Sequence, residues 1–180
     1  STLGEFENTN ISWPEVGTIT VYASIADSNY LDVGDIAGTP SGNIGRFYPG
    51  VFSVNSKSLQ AGCTTGSFTY MSDTAGSYQP LSIDLDITAE GPGTGALSNY
   101  DEDLGYPVSS FTPVAENANN GVDLSTRFNL LSSKWRNGRY EIIGPQNGGF
   151  SRLVNGADIV PDGPFSNLLL GLKENNLGPD

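Results

Sequence analysis

Residues 81–89 read Leu81-Ser82-Ile83-Asp84-Leu85-Asp86-Ile87-Thr88-Ala89, an unbroken alternation of apolar and polar side chains. A period of two places Leu81, Ile83, Leu85, Ile87 and Ala89 on one face and Ser82, Asp84, Asp86 and Thr88 on the other. That is the pattern of a β-strand with one face buried. Working outward, weaker versions recur. Residues 18–25 set Ile19, Val21, Ala23 and Ile25 against Thr18, Thr20, Tyr22 and Ser24, and residues 51–54 and 67–71 follow, the latter with Phe68 and Tyr70 on one face. Beyond the central stretch, 108–114, 124–130, 139–143, 150–154 and 167–173 read as strands, punctuated by Asn120-Gly121, Asn137-Gly138, Asn147-Gly148 and Asn155-Gly156. Asn-Gly pairs between apolar runs favour tight turns, and short strands at such spacing predict an all-β fold, an antiparallel Ig-like or Greek-key β-sandwich. Asp32, Gly34, Asp35, Gly38, Pro40, Ser41 and Gly42 break every pattern between Tyr30 and Arg46. We therefore expect residues 1–45 to be an N-terminal strand-containing arm, or the end of a preceding β module, and residues 46–180 to be the sandwich.

Composition narrows the chemistry. The 180 residues contain 23 Gly and 11 Pro, and 20 acidic against 8 basic residues give a net charge of −12. Such a surface repels nucleic-acid phosphates and anionic lipid. The absence of His removes Ser-His-Asp and Cys-His catalysis and the zinc motifs built on it. Cys63 has no second cysteine to pair with inside this sequence. No apolar run approaches the roughly 20 residues of a membrane-spanning helix, so no membrane insertion is expected. We read the chain as a piece of a longer protein, monomeric as an isolated fragment.

Three groups of residues are candidates for binding. Asp101-Glu102-Asp103 offers the hard oxygen ligands that Ca²⁺ prefers, without the spacing of an EF-hand. Trp135 and Tyr100 are candidate platforms for stacking a sugar, with core packing as the competing role. Asp84 and Asp86 share a strand face, where they serve either a cation or a solvated surface. Paired carboxylates also serve glycosidases, but nothing local places two of them across a substrate.

The order of several motifs carries a resemblance. Glu15-Val16-Gly17-Thr18-Ile19-Thr20, Tyr30-Leu31, Gly45-Arg46-Phe47-Tyr48-Pro49 with Phe52, and Phe68-Thr69-Tyr70-Met71 are followed by Asn99-Tyr100 and by Asp123-Leu124-Ser125 with Arg127. Trp135 with Asn137-Gly138, and Asp162-Gly163-Pro164 before Leu170-Gly171-Leu172, complete the series. This resembles MshQ-type proteins of the mannose-sensitive haemagglutinin (MSHA, type IV) pilus system over about Trp13 to Leu177. Gly50 after Pro49 and Ser72-Asp73 after Met71 depart from that pattern. The resemblance implies a secreted, cell-surface protein of a Gram-negative bacterium, with other modules of the same chain and pilus components as partners, and no catalysis. Within it, Arg46 offers its guanidinium to a carboxylate across a module junction.

The expected function is a non-catalytic extracellular structural or adhesive module contributing to pilus assembly or surface attachment, with no required cofactor. The alternative is a calcium-assisted carbohydrate-binding module taking surface glycans through Trp135, Tyr100 and the 101–103 loop. A carboxylate-dependent glycosidase or lyase ranks last.

Overall fold

The alternating stretch becomes the central strand of the largest sheet. The computed structural model describes residues 7–25, 29–36, 38–63, 65–71, 80–156, 158–160 and 162–175. Its strands are β1 (Gly17–Thr20), β2 (Asn43–Phe47), β3 (Val51–Gln60), β4 (Ser82–Glu90), β5 (Ser110–Asn117), β6 (Val122–Asp123), β7 (Phe128–Leu130), β8 (Trp135–Arg136), β9 (Arg139–Ile142), β10 (Gly148–Phe150), β11 (Val154–Asn155), β12 (Asp158–Ile159) and β13 (Leu168–Asn175). Two short 3-10 turns, Glu102–Leu104 and Ser125–Arg127, are the only helical elements among the described residues. The protein is all-β, and every strand pair is antiparallel.

One sheet has the order β3-β4-β9-β8 and a second the order β13-β5-β6. They face each other as a β-sandwich. Phe52, Leu85, Ile87, Trp135 and Tyr140 from the first sheet meet Phe111 and Leu172 from the second. Phe111 touches Tyr140 edge-on at 5.0 Å between ring centroids and Phe52 at 6.3 Å. A second core of Leu81, Ala115, Leu124, Phe128 and Phe150 lies at the other end, with Leu130 packed against both clusters. Leu168, Leu170 and Leu172 of β13 point inward in alternation while Leu169 is exposed. Pro113, which has no N–H to donate, sits where β5 is paired only with β13, since β6 reaches only Glu116 and Asn117.

Sequence and structure diverge where a partner strand is lacking. The 18–25 segment is a strand only to Thr20, because β2 begins at Asn43. Past that point Ser41 bonds Val21 through side chain and backbone, and Val21 and Tyr22 are exposed. The 67–71 segment forms no strand and has one bridge, Cys63 to Phe68, although Phe68 and Tyr70 do meet, edge to face at 4.9 Å. Residues 124–130 divide into buried Leu124, a 3-10 turn and β7; residues 150–154 divide between β10 and β11. Asn147-Gly148 is not a hairpin turn. The buried Asn147 amide accepts from Ile83 N at 2.7 Å and donates to Ile83 O, standing in for the peptide of a neighbour where β9 has ended.

The N-terminal segment touches the sandwich at several points. Val16 is buried in the first core, and the Glu15 carboxylate accepts from Ser98 N, Ser98 Oγ and Asn99 N. Tyr106 donates its hydroxyl to Phe47 O at 2.8 Å. Arg46 lies 5.4 Å from the Tyr48 ring centroid, a cation–π contact rather than the carboxylate pairing expected of it.

Candidate functional site

The 101–103 loop and the two candidate aromatics, distant in sequence, meet at one place. Asn137 (φ 48°) and Gly138 (φ 75°) form the two-residue turn joining β8 to β9, since Arg136 pairs with Arg139 directly across it. Two successive positive φ values define the type I′ turn that Asn-Gly favours. Only glycine fits at 138. An added Cβ would lie 2.7 Å from Leu97 O and 2.8 Å from Leu97 N.

The acidic loop grips this hairpin. Asp101 caps the 3-10 turn by accepting from Asp103 N at 2.8 Å, and its other oxygen accepts from Asn137 N at 2.9 Å. These backbone donors, Asn137 first, hold the Asp101 carboxyl below the usual range. Glu102 accepts from Trp135 N at 3.1 Å. Asp103 pairs with Arg136 and, at 3.8 Å, with Lys134, both outside in solvent where an ion pair adds little. Each carboxylate thus goes to a different point on the hairpin. Among the described residues no group of three or more acidic or cysteine side chains is arranged to hold a metal ion. Asp101, Glu102 and Asp103, the residues expected to hold calcium, form a clasp on the hairpin.

Trp135 and Tyr100, the expected stacking platforms, lie inside the domain. Both are 0% exposed and pack edge to face at 4.8 Å, so neither offers a ring face to a ligand. They converge on one buried residue, Ser109, that no local sequence pattern marks. Trp135 Nε1 donates to Ser109 O at 2.9 Å, Ser109 N donates to the Tyr100 hydroxyl at 2.6 Å, and Ser109 Oγ donates to Glu174 at 2.7 Å. An unpaired indole N–H or phenol in such a core is costly, so these bonds fix both rings. Burial pushes the Tyr100 phenol up, outweighing its bonds to Ser109.

Asp84 and Asp86 have separate fates on their shared face. Asp86 is buried and pairs with Arg139 across the β4–β9 register, and that guanidinium holds its carboxyl below the usual range. Asp84 accepts from Ser58 Oγ at 3.1 Å and Gly144 N at 3.3 Å. A further constellation surrounds Arg127, which pairs with Asp162, donates to Ser151 O at 2.9 Å and lies 5.7 Å from the Phe165 ring centroid. Arg127 and Asp162 belong to two motifs quoted above, which the fold brings together. Cys63 is half-buried and its thiol is free.

What these contacts define is a β-sandwich domain whose charged loops brace its own hairpins. The chain belongs to the DUF6701 family: residues 15–179 match the model described as DUF6701, third domain, a domain of unknown function. No curated protein and no solved structure matches the sequence.

Proposed function

We propose that this domain is a non-catalytic structural or adhesive module of a larger exported surface protein, acting beside sister modules in MSHA-type pilus assembly or attachment. The observation that carries the reading is the acidic clasp: Asp101 and Glu102 spend their carboxylates on the backbone of the β8–β9 hairpin. Description of the family match as a third domain supports a place among other domains. The net charge of −12 suits a dispersed module that neither nucleic acid nor anionic lipid attracts. The test is in-frame deletion of residues 15–179 from the parent protein, scoring export, pilus number and surface attachment. Attachment or pilus number should fall while export persists. Unchanged values for both refute the reading, and so does polysaccharide turnover by the purified domain.

One observation favours a second reading, carbohydrate binding away from the expected aromatics. Phe68 and Tyr70 are exposed and line a groove that also contains Arg152 and Phe165, an aromatic-plus-polar surface of the kind sugars stack on. Glycan-array binding that is lost in Tyr70→Ala and kept in Trp13→Ala would establish it; no glycan bound by the intact domain would remove it.

A further inference from the structure

The sandwich has an open side at β3 and β13. Among the described residues, β3 pairs only with β4 and β13 only with β5, so each leaves one edge without a neighbour. Between these edges lies an apolar slot of about 590 Å³. Its walls are Phe52, Val54 and Leu59 from β3 and Leu168, Leu170 and Leu172 from β13. Val54 and Leu59 are more than half exposed although they face inward, opposite Ile87 and Ile83 on β4. An edge strand that is irregular between Val54 and Ser56, with unpaired backbone groups on either side of that point and exposed apolar side chains at Val54 and Leu59, is a surface to which an extended peptide adds.

One charge identifies the occupant further. Lys57 stands opposite Leu85, and directly paired residues share a face, so its side chain is on the slot side of β3. It is exposed and makes no ion pair among the described residues. Glu174, across the slot, is already bonded by Ser109 Oγ. A second copy of this chain is a poor occupant: it would bring its own Lys57 to the same edge and add a second net charge of −12.

We propose that the β3 edge binds an extended segment of a different polypeptide, about eight to ten residues long at roughly 3.3 Å per residue. Its inward side chains alternate with outward polar ones, and one inward position is a carboxylate that meets Lys57. This assignment does not depend on the pilus reading.

The experiment is selection of a random twelve-residue peptide display library against the purified protein. The best peptide is then synthesised and mapped by amide hydrogen exchange. Enriched peptides should alternate apolar and polar residues, with an acid in the apolar phase. Binding should slow exchange along β3, and Lys57→Glu should weaken it at least about tenfold, by the loss and reversal of a close charge pair. Replacing the peptide's acid by lysine should restore it on that variant. Val54→Asp, also at an exposed position, should abolish binding of the original peptide. The proposal is overturned by no enrichment, by enriched peptides without alternation, or by protection elsewhere. Slow exchange of the outward β3 amides in the protein alone would also overturn it, as would a concentration-dependent dimer protecting β3.

Discussion

Replacing Trp135 is the sharpest test of whether the buried aromatic pair is architecture. Truncating a large buried aromatic to alanine costs about 3–5 kcal/mol. The substitution also orphans Ser109 O, in a residue only 1% exposed, for about a further 1–3 kcal/mol. Trp135→Ala should therefore lose about 4–8 kcal/mol, comparable to the whole stability of an ordinary domain, and be largely unfolded at room temperature. Trp135→Phe keeps much of the packing but loses the indole bond, for about 2–4 kcal/mol. In urea that lowers the midpoint by about 1–2 M. The assay is urea unfolding followed by far-ultraviolet circular dichroism. The only other tryptophan, Trp13, is 44% exposed, so Trp13→Ala is a control expected to move stability by less than about 1 kcal/mol. In that control the remaining emission should be blue-shifted and shielded from acrylamide until the domain unfolds. A Trp135→Ala protein folded within about 1 kcal/mol of wild type would refute the reasoning. Loss of glycan binding without loss of stability would return Trp135 to the surface.

Other consequences follow from the same contacts. Gly138→Ala should destabilise by about 2–4 kcal/mol, because it adds a clash with the Leu97 backbone to positive-φ strain. Gly93→Ala, at φ 72° with open space around it, should cost only about 1 kcal/mol; equal effects would refute the packing argument. Asp86 has its folded pKa depressed by Arg139. Its contribution is therefore complete above the unfolded value of about 3.9 and is lost as pH falls through the lower folded value. Melting temperature between about pH 2 and 6 should rise more steeply for wild type than for Asp86→Asn; identical slopes would remove Asp86 as a source of acid sensitivity. Arg127→Ala removes the partner of Asp162, whose side chain is 18% exposed, and of Ser151 O, and chemical unfolding should show a loss of about 1–3 kcal/mol, with a loss under about 0.5 kcal/mol refuting the role. Millimolar Ca²⁺ against EGTA should leave the melting temperature within about 1 °C, since the 101–103 carboxylates serve the hairpin; a rise of several degrees would show a cation bound to the folded state.

The all-β class, the antiparallel pairing and the central strand are local properties, and residues 81–89 and the Asn137-Gly138 turn display them without help. Periodicity says which side chains share a face, and an Asn-Gly pair says where a chain can reverse, because both depend on neighbours one or two residues away. Strand ends were beyond that reach. Residues 21–25 alternate as well as 18–20 do, but a strand needs a partner, and β2 supplies one only from Asn43. The same limit governs Asn147-Gly148, whose side chain imitates a peptide only because β9 stops short of Ile83. Around the candidate site, the sequence supplied the right residues and the wrong direction. Carboxylates at Asp101, Glu102 and Asp103 and rings at Tyr100 and Trp135 are as suited to calcium and sugar as to backbone amides and one another. Burial decides between these uses, and burial is the sum of contacts from strands far apart in the chain: the 101–103 loop closes over a hairpin some thirty residues away, and Ser109 becomes a hub only when Glu174 arrives from β13. Composition and alternation determined what the chain can build; long-range packing decided which polar groups face water and which hold the sandwich shut.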